Sequence, residues 1–152
     1  MKYGEFDYDN DLSAPRPTAD QALMRVAYVF EARSTCDRNH VGAVFARDGR
    51  IISTGYNGAP AGMEHCVHPI IRLSNEGCKV SIHAESNAIA YAARHGVSLD
   101  GATAFVSLSP CYACAQLLIS AGLVRVVFDR RYRDEAGIEL LMQAGLVVER
   151  IS

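Results

Sequence analysis

Apolar positions along the chain follow two periods. Leu23, Val26, Ala27 and Phe30 recur along one helical face up to about Ser34, and Thr18 with Gln21 has capping-box spacing ahead of them. A first helix is expected there. Val41 to Ala46 and Arg50 to Thr54 are strand-like runs flanking Asp48-Gly49, a pair that favours a tight hairpin turn because both residues tolerate positive φ. His83 to Arg94 ends at Gly96, Cys111 to Ala121 at Gly122 and Asp134 to Ala144 at Gly145, so each reads as a helix with a glycine beyond its last turn. Thr103 to Leu108, Val124 to Phe128 and Leu146 to Arg150 read as strands. The order α-β-β-α-β-α-β-α-β predicts an α/β domain. A hairpin followed by alternating strands and helices implies a mixed sheet, parallel in its later part, with helices on both faces.

Two stretches break the pattern. Residues 1–17 are polar, with Asp7, Asp9 and Asp11 and then Pro15 and Pro17, and are expected to form an N-terminal arm beside a single domain spanning 18–152. Gly55 to Val80 is rich in Gly, Pro, His and Cys without a period, and a compact domain seldom carries so long a loop unless the loop does something. Composition then sets bounds. A chain of 152 residues, 49% hydrophobic and 21% charged, is long enough for one globular core. No apolar run approaches a membrane span, and the N-terminus lacks the basic start and apolar stretch of a signal peptide, so a cytoplasmic protein with no membrane partner is expected. A formal net charge of -2 gives no footprint for a long nucleic acid but leaves room for a local basic pocket around one phosphate. The five cysteines are odd in number and two lie in a C-x-x-C, which in a reducing compartment favours metal binding over a disulfide framework.

The chemistry concentrates in His83-Ala84-Glu85 and Pro110-Cys111-Tyr112-Ala113-Cys114. Proline ahead of Cys111 suits a strand-to-helix junction, and Cys111 and Cys114, three apart, then share one face of the first turn. The positive end of the helix favours thiolates over thiols. His83 is expected at the same place on the preceding helix. Three such ligands leave one position open on zinc, the form of a catalytic rather than a structural site. Glu85 does not share the face of His83 and is better placed beside an activated water, where it carries protons to a ring nitrogen and a leaving amino group. Thr103 to Ser109 are expected to line the pocket, with a backbone N–H near Ala84 holding the carbonyl of the base. Alone, a C-x-x-C is often a structural knuckle and His-Ala-Glu an ordinary helix start. In this order, with the proline and a strand between two helices, they form the H-x-E and P-C-x-x-C signature of zinc-dependent nucleobase deaminases.

Further motifs are Arg33-Ser34-Thr35-Cys36, Val41-Gly42-Ala43-Val44, Thr54-Gly55-Tyr56-Asn57-Gly58-Ala59-Pro60 and Asn87-Ala88-Ile89. With them the chain resembles the deoxycytidylate deaminase family, within the cytidine deaminase-like superfamily, from about Ala22 to Val148. The Gly-Tyr-Asn-Gly loop discriminates, because free-nucleoside, nucleotide, nucleic-acid and guanine deaminases share the zinc motif. The resemblance implies a three-layer α/β/α cytidine deaminase-like fold with a central mixed five-stranded sheet. It implies zinc-dependent conversion of dCMP to dUMP and ammonia, feeding thymidylate synthesis. Asn57 matches a sugar-contacting asparagine and Tyr132 a tyrosine near the substrate, while Arg133 and Arg38 are candidate ligands of the 5′-phosphate. The plainer readings are a turn asparagine and a solvated charge run. Some members are hexamers activated by dCTP and inhibited by dTTP, which implies a homo-oligomer, effector residues among Tyr56, Gly58, Tyr91 and Arg94, and Mg2+ accompanying the effector.

The leftover Cys36, Cys66 and Cys78, with His65 or His68, suggest a second, structural zinc that would fasten the unperiodic loop. Relatives with a longer insert carry one built from cysteines matching Cys36 and Cys66. The insert here is short, and free cysteines are also commonly buried small hydrophobes. Three functions compete: a nucleotide-pool enzyme acting on dCMP or a 5-substituted dCMP, a nucleic-acid base deaminase with a basic track, and a non-enzymatic zinc-binding scaffold.

Overall fold

The computed structural model describes residues 15–67 and 78–152, so His68 and all but the end of the expected arm lie outside the described residues. Helix α1 (Ala19–Glu31) opens on the expected capping box: the Thr18 hydroxyl accepts from the Gln21 N–H, and the Gln21 side chain accepts from the Thr18 N–H. It stops three residues short of Ser34. Strands β1 (Gly42–Arg47) and β2 (Arg50–Tyr56) turn at Asp48 and Gly49, whose φ values of 51° and 71° are the left-handed pair a two-residue hairpin turn requires. Strand β2 runs two residues beyond its expected end and delivers Asn57 directly from the sheet. The remaining elements are α2 (Ala84–Arg94), β3 (Thr103–Leu108), α3 (Tyr112–Ser120), β4 (Arg125–Arg130), α4 (Ala136–Gln143) and β5 (Val147–Arg150).

The sheet has the order β2-β1-β3-β4-β5. The β1–β2 and β1–β3 pairs are antiparallel, while β3–β4 and β4–β5 are parallel. Alternation of side chains across the pleat divides the core in two. Phe45, Ala104, Val106 and Val126 face Ala88 and Ala92 of α2, Leu118 of α3 and Leu141 of α4. Val44, Ala46, Phe105 and Val127 face Met24 and Ala27 of α1. Phe45 and Phe105, one on each face, are essentially fully buried, each worth about 1.5–3 kcal/mol. The result is a three-layer α/β/α fold with one helix on one face and three on the other.

Two close approaches set the helix starts that matter for the site. A Cβ on Gly55 of β2 would lie 2.2 Å from the Ala84 carbonyl oxygen, and one on Gly137 of α4 would lie 2.1 Å from that of Pro110. Only glycine lets β2 reach the first turn of α2 and α4 reach the turn before α3.

Candidate active site

His83 is the N-cap of α2 and Cys111 the N-cap of α3, so the two helices present their positive ends to a common point. The His83 Nδ1 lies 3.4 Å from both the Cys111 and Cys114 sulfurs. A tetrahedral ion about 2.3 Å from sulfur and about 2.1 Å from nitrogen sets such donors about 3.6 Å apart, so the spacing fits zinc. The Ser86 hydroxyl, in the first turn of α2, is 3.6 Å from the Cys114 sulfur and steadies it.

Charge in this cluster is arranged for a cation. Hydrogen bonds from Cys114 and then His83 hold the Cys111 thiol down at about 4, despite burial. The Cys111 sulfur in turn raises the His83 imidazole and, together with burial, pushes the Cys114 thiol far above its ordinary range. Without an ion the protein thus supports one thiolate and holds protons against it; a divalent cation displaces those protons and satisfies both sulfurs. Glu85 is 4% exposed beside this cluster, and burial lifts its carboxyl from 4.5 to about 7. A carboxyl poised near neutrality suits proton transfer in both directions.

His83, Ala84, Glu85 and Cys111 form one side of a cavity of about 380 Å³. The other walls include the candidate substrate residues Asn57, Arg38, Tyr132 and Arg133. Thus five distant stretches of sequence converge on one space. Of the expected lining run from Thr103 to Ser109, only Leu108 and Ser109 reach the cavity; the earlier residues are spent inside the sheet. Asn57 is 7% exposed, and its side chain braces the adjoining loop: its Oδ1 accepts from the Val41 N–H at 2.8 Å and its Nδ2 donates to the Asn39 carbonyl at 2.6 Å. Ser109, which the motifs did not single out, accepts from the Tyr132 N–H at 2.7 Å and so anchors the Tyr132–Arg133 loop.

The candidate effector residues lie outside this cavity. Tyr56 sits beneath the Arg33 guanidinium, Gly58 packs on the Thr35 hydroxyl, Tyr91 stacks on His95 at 4.2 Å, and Arg94 is exposed on the outer side of α2. The ligand atoms of Cys36, Cys66 and Cys78 lie within 4.8 Å of one another, and all three cysteines are free of disulfides. Burial, then the other two sulfurs, pushes the Cys66 thiol up to about 12. Burial acts the same way on Cys78, but the Ser81 and Val80 N–H groups and the neighbouring sulfurs outweigh it and hold that thiol low. This donor set too is suited to a soft cation. His65, one of the two histidines expected to complete it, lies in an exposed run from Ala61 to His65 and is not among the clustered donors.

A three-layer α/β/α fold that aims a histidine and a Cys-x-x-Cys from two helix N-termini at one point, with a buried glutamate beside them, is the arrangement of the zinc-dependent base deaminases. The chain belongs to the cytidine and deoxycytidylate deaminase family, whose zinc-binding region it matches over residues 17–130. It is 40% identical over 126 residues to the deoxycytidylate deaminase of Mycobacterium phage D29, covering 76% of this chain and 97% of that protein. It is 38% identical over 133 residues to ComE operon protein 2 of Bacillus subtilis (strain 168), covering 87% and 70%. Among solved structures, the dCMP deaminase from the cyanophage S-TIM5 in complex with dCMP and dUMP superposes with a TM-score of 0.80 at 32% identity, covering 91% of this chain and all (100%) of that one.

Proposed function

We propose that this protein hydrolyses dCMP to dUMP and ammonia, with His83, Cys111 and Cys114 holding the catalytic zinc and Glu85 carrying protons. The observation that carries the reading is that the three-donor cluster and the buried Glu85 share one cavity with Asn57, Tyr132 and the arginines 38, 131 and 133. A base, a sugar and a phosphate require those three kinds of wall. The solved cyanophage relative, in complex with dCMP and dUMP, supports the same substrate.

Zinc, when bound, supplies the Lewis acidity that makes a water nucleophilic near neutral pH. Glu85 takes the proton of that water as its oxygen adds to C4 of cytosine, and delivers it to ring N3. It then takes the second proton of the added oxygen and passes it to the departing amino group, so that one water is consumed and one ammonia leaves. The Ala84 backbone N–H holds the O2 carbonyl of the base. Asn57 meets the sugar while bracing residues 39 and 41, and Tyr132 closes over the substrate. Arg133 and Arg38 take the 5′-phosphate, a dianion that arginine recognises through paired N–H bonds.

The cluster of Cys36, Cys66 and Cys78 would take a second, structural zinc that fastens the loop beside the cavity. We further propose, from the resemblance to regulated members alone, a cytoplasmic homo-oligomer, a hexamer, responding to dCTP and dTTP through Tyr56, Gly58, Tyr91 and Arg94, with Mg2+ on the effector. Among the described residues no helix is long and apolar enough to cross a membrane.

Ammonia release measured on dCMP, 5-methyl-dCMP, deoxycytidine and a cytosine-containing oligonucleotide tests the reading. Preference for dCMP is expected; preference for 5-methyl-dCMP would move the assignment to a modified nucleotide. Activity on the oligonucleotide that falls steeply with salt would replace it with a nucleic-acid deaminase.

A further inference from the structure

Three of the segments that wall the cavity, those around Asn39, Ser109 and Tyr132, meet on one side chain that does not line it. Arg130, the last residue of β4, donates through Nη2 to Glu31 Oε1 at 2.7 Å, to the His40 carbonyl at 3.2 Å and to the Ser107 hydroxyl at 3.3 Å. Its Nε donates to the Ser107 carbonyl at 3.2 Å, and its own carbonyl accepts from the Ser109 N–H at 2.8 Å. The Ser107 hydroxyl also accepts from the Gly42 N–H at 3.0 Å. Glu31, on the last turn of α1, is 1% exposed, an acidic residue on the apolar stripe of Met24 and Ala27.

These bonds have a direction. Glu31 fixes the guanidinium, the guanidinium fixes the chain at His40, between the cavity residues Arg38, Asn39 and Val41, and Ser107 fixes the end of β3 that delivers Ser109. Arg130 then leads without a break into Arg131, Tyr132 and Arg133, all three on the cavity wall. We infer that Arg130, clamped by Glu31 and Ser107, is a positioning residue that sets the distance between the 38–41 loop and the 131–133 loop, the two loops that grip the phosphate end of the nucleotide. The catalytic cluster hangs instead from the N-termini of α2 and α3, which Arg130 does not touch. The clamp therefore acts first on the grip of the phosphate, and so on discrimination between nucleotide and nucleoside, while His83, Cys111 and Cys114 receive no hydrogen bond from it. This inference rests on the dCMP reading above.

Arg130→Lys is the suitable variant, because it leaves Glu31 paired with a cation while a single ammonium cannot reproduce a planar fork that bonds several oxygens at once. Steady-state kinetics on dCMP and on deoxycytidine should show kcat/KM for dCMP falling about tenfold or more, carried by KM, with kcat/KM for deoxycytidine within about twofold of the wild type. Glu31→Gln, which retains an acceptor of the same shape, should shift the ratio of the two substrates in the same direction by less. An equal fall on both substrates, or no fall, overturns the clamp. Arg133→Ala measured alongside separates the two claims: loss of dCMP preference there but not in Arg130→Lys rejects the clamp and keeps the phosphate assignment, whereas preference retained in both rejects the assignment and the clamp together. A wild type inactive on dCMP removes the reading on which both stand.

Discussion

Replacing Glu85 with glutamine separates its chemistry from its packing. The carboxyl is 4% exposed, and burial raises it from 4.5 to about 7. At about 1.4 kcal/mol for each tenfold, that displacement means that metal-free protein holds the charged form at pH 8 at a cost of about 3 kcal/mol. The folded state binds this proton more tightly than the unfolded chain does, so stability is unaffected below about 4.5, falls as pH rises to about 7, and is then level. Glutamine is neutral throughout and nearly the same size. Calorimetry on chelated samples should find Glu85→Gln melting close to the wild type at pH 5 and several degrees above it at pH 8, since each kcal/mol moves the midpoint by about 2–4 °C in a chain of this size. With zinc restored, metal content should match the wild type while turnover falls by about 100- to 10,000-fold, the usual contribution of a general acid–base group. A melting difference that does not grow with pH, a variant that loses zinc, or turnover within about tenfold of the wild type would refute the role given to Glu85.

Metal analysis of protein purified without chelators should find two zinc per chain, falling to one in Cys66→Ser; one zinc in the wild type rejects the second site. Gly55→Ala forces a methyl toward the Ala84 carbonyl 2.2 Å away, so it should cost about 1–3 kcal/mol and lower the zinc content by displacing the turn that carries His83. Unchanged metal content would show that β2 does not hold that turn in place. The Arg125 guanidinium hydrogen-bonds Asp20 and holds its carboxyl below the ordinary value of 3.8. That stabilisation is present above 3.8 and is lost as pH falls through the lower folded value. Asp20→Asn should therefore melt below the wild type at pH 7, by less than about 1 kcal/mol for so exposed a pair, and converge with it in acid. A gap that persists at low pH assigns the effect to something other than the ion pair.

Local signals carried the fold a long way. The Thr18 capping box, the Asp48-Gly49 turn and the glycines after α2, α3 and α4 act within a few residues, and the elements stand where those signals put them. The metal cluster was legible for the same reason, since a three-residue spacing at a helix start already decides which face two cysteines share. The walls of the cavity were legible only in part. Asn57 and Tyr132 came from motifs, but the use of Asn57 to brace residues 39 and 41 depends on β2 running two residues past its apparent end. Ser107, Ser109, Arg130 and Glu31 come together from the ends of two strands and a helix on the opposite face, contacts that no spacing encodes. Glu31 alone left a trace: a glutamate seven residues after Met24 and four after Ala27 sits on an apolar stripe, which calls for a buried partner.

The most direct measurement is the conversion of dCMP by zinc-loaded protein, followed by the loss of cytosine absorbance and by ammonia release in the same sample. Equimolar dUMP and ammonia, with the Glu85→Gln variant slower by about 100- to 10,000-fold at the same zinc content, is the predicted result. Unchanged dCMP in the presence of fully metallated wild-type protein would contradict the account.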